Sequence, residues 1–227
     1  MTKKELIYTV FERLKINSDD MDITEEFVSF LIDSKRAMLL KQRFDAKPWA
    51  MPLETKQEIC VNLELTARVP GFECVGTILR SDAPLPESIK IKGKEGPLTI
   101  RKTDKTAIHV NIIPLERLPY IGSNRALAMM IYGAIDYDNR LYLISQSGKI
   151  NLMTDIRVAD IFEKPDVAAE LECTADSETE CEIWDREYPV ELSMVDDIVK
   201  LVVQDLVKTI NIPEDGVNNA DGERTKA

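Results

Sequence analysis

One histidine, His109, is the natural first candidate for chemistry, and it stands in the alternation Ile108-His109-Val110-Asn111-Ile112. In a strand its imidazole points opposite to the three apolar neighbours, which is the position of a surface side chain rather than of a base. A triad built on it would need a nucleophile held in a sharp turn such as G-x-S-x-G, and the chain has no such turn. Gly93-Lys94-Glu95-Gly96 leads into proline and a strand pattern, where a phosphate loop would open a helix. Asp136, Asp138 and Asp155 are the carboxylates a metal-dependent hydrolase would use. Asp and Asn ahead of a strand are, however, ordinary turn residues. Asn219, Asp221 and Gly222 imitate part of a calcium loop, but Val217 occupies the first ligand position and no bidentate glutamate closes it. The residues call for no metal and no cofactor, and they shift weight from catalysis toward an interface.

Two groups of residues suit contact with a partner. Lys35, Arg36, Lys41 and Arg43, with Lys47 beyond them, crowd the second half of a predicted helix and can face an acidic partner or DNA. Cations there also suit the helix macrodipole, so a solvated face is the plainer reading. The end of the chain, IPEDGVNNADGERTKA from Ile212 to Ala227, offers only Ile212 and Val217 as sizeable apolar side chains. It cannot bury enough surface to offset its own ordering entropy. Such a segment takes a fixed place only in company, which makes Ile212, Pro213, Val217, Asn218, Asn219 and Arg224 candidate partner contacts.

The elements that must position these groups divide the chain. Residues 1–56 read as helices of a bundle. Thr2 and Glu5 make a capping box before Leu6, Ile7, Val10, Phe11 and Leu14, and Thr24 caps a second helix whose Phe27, Phe30, Leu31, Ser34 and Met38 share a face. Residues 57–164 form a β-rich module, since the period changes to two at Gln57 and short runs follow between Pro- and Gly-bearing turns: Cys74 to Leu79, Ser88 to Ile91, Leu98 to Lys102, Ala107 to Ile113 and Leu141 to Ser145. Spacing this tight favours antiparallel pairing. A short helix is expected from Ala126 to Tyr132. Residues 165–211 carry a short helix behind Pro165, an acidic loop and a long helix from about Val190 to Ile210. Its apolar residues cover more than half its circumference, so several neighbours must cover it. Residues 212–227 form the arm. The fold class is α+β: a helical bundle made from both chain ends, an inserted antiparallel β-rich module, and an extended C-terminal arm.

Composition narrows the function. With 29 Lys and Arg against 40 Asp and Glu, the net charge of −11 opposes unspecific attraction to nucleic acid or anionic lipid. The start, MTKKELIYTVFERLK, reads as a helix rather than a signal peptide, and no run has the roughly 18 apolar residues of a membrane span. Cys60, Cys74, Cys173 and Cys181 lack the paired spacing of a zinc site and read as reduced thiols made in a cytosol.

Four stretches carry a resemblance: ITEEFVSFLIDSKRAMLLKQRF (Ile23 to Phe44), ERLPYIGSNRALAMMIYGAIDYDNRLYLIS (Glu116 to Ser145), RVADIFEKPDVAAELEC (Arg157 to Cys173) and CEIWDREYPVELSMVDDIVKLVVQDLV (Cys181 to Val207). In order and extent they resemble the head-to-tail connector, ring or adaptor, proteins of crAss-like bacteriophages infecting Bacteroides-type hosts. The region Pro84 to Thr106 departs most from that pattern. The resemblance implies a virion structural subunit at the neck, made in the host cytoplasm. Twelve copies would form a ring below the portal protein, with the C-terminal arm reaching into the portal or an adjacent ring and DNA passing through the channel without specific binding. Other connector or tail proteins are implied partners, and a membrane is not. Two other readings remain: a tail-associated module whose sheet binds a host receptor, and a small metal-dependent phage enzyme.

Overall fold

The computed structural model describes residues 1–15, 23–46, 52–67, 77–90, 99–102, 110–121, 128–171, 173 and 183–210. Along the chain its elements are α1 (Lys3–Lys15), α2 (Glu25–Ala46), β1 (Gln57–Thr66), β2 (Thr77–Ser81), β3 (Thr99–Lys102), β4 (Val110–Ile112), α3 (Leu118–Ile121), β5 (Ile131–Ile135), β6 (Leu141–Ser145), β7 (Asp155–Asp160), α4 (Pro165–Ala169) and α5 (Leu192–Ile210). The expected α+β class is what is observed.

The helices start where their caps allow. Thr2 N–H donates to Glu5 Oε2 at 2.9 Å and Glu5 N–H returns a bond to Thr2 Oγ1 at 3.2 Å, closing the capping box of α1. Thr24 Oγ1 accepts from Phe27 N–H at 3.3 Å at the head of α2. Leu6, Ile7, Val10 and Leu14 of α1 are buried with Met194, Ile198, Val199, Val202 and Leu206 of α5, and Val28, Ile32, Leu40 and Phe44 of α2 complete the shared core. The face expected for α2 is corrected by this arrangement. Val28, Ser29, Ile32, Arg36, Leu40 and Phe44 point inward, whereas Phe27, Phe30 and Met38 lie outside, at 44%, 61% and 38% exposure. The inward stripe admits an arginine because its guanidinium meets partners inside. α5 begins at Leu192, two residues after Val190, which packs in the core as part of the approach to the helix.

The strands form one sheet in the order β3-β7-β1-β2-β6-β5-β4, antiparallel throughout except for the parallel pair β4–β5. β1 is its spine: Gln57 to Asn62 pair with β7, and Leu63 to Thr66 pair with β2. The sheet curls until its edge strands β3 and β4 approach. Inside the curl lies a second core, with Ile59, Val61, Leu79, Ile100, Leu141, Leu143, Ile156 and Val158, closed below by Phe162 and Ala168. Outside it, Ile78, Tyr132, Ala134, Tyr142 and Ile144 pack with Leu118 of α3.

Three sequence expectations change here. Tyr132 belongs to a strand, not to a helix ending there, because Ile131, Tyr132, Gly133 and Ala134 are buried on both faces of β5 and such a run carries no alternation. Ser88 makes only an isolated bridge with Phe162. Cys60 and Cys173 are joined in a disulfide, their Cα atoms 4.9 Å apart, so these two are not reduced thiols. The Cys60 N–H donates to Leu171 O at 2.8 Å, and this backbone bond brings the segment after α4 beside β1. Cys74 and Cys181 lie outside the described residues, as do His109 and the acidic loop.

Candidate interaction surfaces

The basic cluster on α2 splits by helical position. Arg36 faces inward and is fully buried. Its Nε donates to Pro189 O at 2.8 Å, Nη1 to Phe162 O at 2.9 Å and Nη2 to Thr55 O at 3.3 Å. Arg36 is therefore corrected from partner contact to internal joint, because its planar fork is consumed by three carbonyls from distant segments. Beside it, Lys3 Nζ bridges Asp33 at 2.8 Å and Asp166 at 2.5 Å, while Tyr188 OH donates to Asp33 Oδ1 at 2.7 Å. Lys3 and Arg36 stand 5.8 and 5.7 Å from the Tyr188 ring centre. Burial pushes the Asp33 carboxyl up despite the opposing pull of Lys3, and it lowers the Arg36 pKa. The Tyr188 phenol is raised well above its ordinary range, first by burial and then by Asp33. One polar knot thus fastens α1, α2, α4 and the approaches to β1 and α5.

Lys35 pairs with Asp205, and Arg43 pairs with Glu191 and donates to Ser193 Oγ at 3.2 Å. Both hold α2 to α5. Lys41 is exposed. Ile212, Pro213, Val217, Asn218, Asn219 and Arg224 lie outside the described residues.

The carboxylates considered for a metal are not gathered. Asp136 Oδ1 accepts from Tyr137 N–H at 2.7 Å in the β5–β6 turn, where Asn139 adopts φ 55° and donates its N–H to Asp136 O at 2.9 Å. That is turn chemistry. Asp155 opens β7, accepts from Thr154 Oγ1 at 2.6 Å, and is separated from β5 and β6 by β1 and β2. Among the described residues no three His, Cys, Asp or Glu side chains are placed to hold a metal ion, and no helix is long and apolar enough to cross a membrane.

Sequence reasoning missed the outward apolar stripe of α2. Phe27, Phe30, Ser34 and Met38 recur every three or four residues along it, and beside Phe30 a groove of about 420 Å³ is walled by Glu26, Ala37, Glu163 and Val167. The signal was visible as a second apolar stripe on α2, but it was assigned to the core. Tyr120, Met129 and Met130 are also at least half exposed. Exposed apolar side chains grouped on one helix face mark a candidate interaction site. The family model described as phage tail ring protein 2 matches residues 5–224, and the chain belongs to that family. It is 32% identical over 221 residues to Ring protein 2 of Bacteroides phage crAss001, an alignment covering 97% of this chain and 96% of that protein. A ring-forming structural protein of a crAss-like phage tail is the class so defined.

Proposed function

We propose that the chain is a head-to-tail connector subunit. Copies close into a ring around the DNA channel, join the portal to the tail, and dock the C-terminal arm on the portal or on a neighbouring ring. The subunit has no catalytic task. The observation that carries this reading is the extent of the family match, residues 5–224, which takes in helices, sheet and most of the arm together. The net charge of −11 supports a channel through which DNA passes without sticking. A ring with head-to-tail contacts gives each subunit two different faces to cover, in agreement with apolar residues exposed on both the helices and the sheet.

Mass photometry of the purified protein, alone and with portal protein, tests the proposal. A closed ring, reaching twelve copies in the presence of portal, is the expected result. A monomer that ignores portal at every concentration would overturn it.

A further inference from the structure

Among the described residues the outer face of α2 has no cover, and the sheet carries a feature that answers it. In the β3–β7 ladder Arg101 stands directly opposite Arg157. Like charges in register across two strands repel, so the pair is costly unless an anion lies over it. Within the subunit, Glu58 is the carboxylate that reaches Arg157, at a long 3.9 Å, and the buried Nε of Arg157 has no hydrogen-bond partner. Arg101 is exposed.

The α2 face has the opposite character. Phe27, Phe30 and Met38 supply the apolar stripe, and Glu26 and Glu163 flank the groove beside Phe30, with Lys164 the one described cation on its wall against these two carboxylates. The other two carboxylates there, Asp33 and Asp166, are already spent on Lys3. The two surfaces lie on different elements of the subunit, α2 and the β3–β7 edge of the sheet. β3 runs from Thr99, opposite Ala159, to Lys102, opposite Ile156, and so leads away from Glu163. From the Ile156 level to Glu163 is seven residues of chain, about 23 Å if extended at the usual rise. Complementary patches far apart on one body are what a head-to-tail ring requires.

We propose that in the ring each subunit seats the apolar outer face of α2, flanked by Glu26 and Glu163, on the Arg101/Arg157 face of β3 and β7 of the next copy. This rests on the ring reading above and names the contact that closes the ring. The test is a charge swap. One protein carries Glu26→Lys and Glu163→Lys, and the other carries Arg101→Glu and Arg157→Glu, the two residues that share the outer face of the β3–β7 ladder. Each alone opposes like charges at every contact, so half-assembly by mass photometry shifts to at least tenfold higher concentration. Mixed in equal amounts, they alternate with both contacts satisfied, and ring-sized species return. Phe30→Ser, at an exposed position, weakens assembly and is not restored by mixing with either swap. Circular dichroism checks that each variant folds. An unfolded one is replaced by its glutamine counterpart, for which a smaller shift in the same direction is expected. Rings of undiminished affinity from either swapped protein alone, or a mixture that stays monomeric while the unaltered protein forms rings, would overturn this contact and leave the ring reading standing. Failure of the unaltered protein to assemble both alone and with portal protein would overturn both.

Discussion

The guanidinium of Arg36 holds three carbonyls from three separate segments, at Thr55, Phe162 and Pro189. Removing it leaves those three buried acceptors dry and takes one of two cations from the Tyr188 ring, so Arg36→Met should cost about 3–5 kcal/mol in urea unfolding. Arg36→Lys should recover little of this, because an ammonium cannot reproduce a planar fork that donates in three directions. Asp160 gives a pH-dependent counterpart. Burial raises its carboxyl to about 6, against the lowering effects of Ser88, the Ile161 N–H and Lys56. The folded protein therefore binds that proton more tightly than the unfolded chain, whose carboxyl titrates near 3.8. The resulting stabilisation is complete below about pH 4 and is lost as pH rises through about 6. Unfolding midpoints across this window should fall for the native protein. For Asp160→Asn they should stay flatter, leaving the variant more stable above pH 6 by up to about 3 kcal/mol. Residue roles were the least legible part of the sequence. An arginine within an apolar stripe reads as surface, because its three acceptors lie 19, 126 and 153 positions away.

Among the elements, β1 and the segment after α4 are tied by the Cys60–Cys173 bond across 113 positions of sequence. Reduction frees a long loop in the unfolded ensemble, so dithiothreitol or Cys173→Ser should lower stability by about 2–4 kcal/mol. Thiol titration of the denatured, unreduced protein should find two free cysteines; four would show that the bond does not form. Caps and amphipathic turns made the ends and inner face of α1 readable, and Thr24 marked the start of α2. The alternation from Gln57 likewise announced β1. β5 was hidden because burial on both faces erases the period that distinguishes strand from helix. The inner face of α2 was hidden by bulk: Phe27 and Phe30 are larger than Val28 and Ile32, yet the smaller pair forms the core.

For the molecule as a whole, the described helices and sheet pack around three cores of their own, and the polar composition of residues 212–227 gives that arm little apolar surface to add to them. Deleting residues 212–227 should therefore leave the thermal unfolding midpoint unchanged while weakening capture by portal. A fall of several degrees would place the arm in the fold rather than in the assembly. The α+β class was legible because the shifts from helical to alternating and back to helical period bracket the sheet. The candidate contact faces were not, since an exposed apolar stripe and a buried one obey the same spacing until the neighbours are known.

The Arg36 knot also orders events during synthesis. α2 leaves the ribosome early, yet its central cation finds its last acceptor only when Pro189 has emerged. At ordinary elongation speeds that is roughly 10 to 40 s after initiation. Until then the guanidinium stays hydrated and holds that side of the nascent helix in water. The inner face of α2 can therefore close on its core only when nearly all of the subunit has been translated.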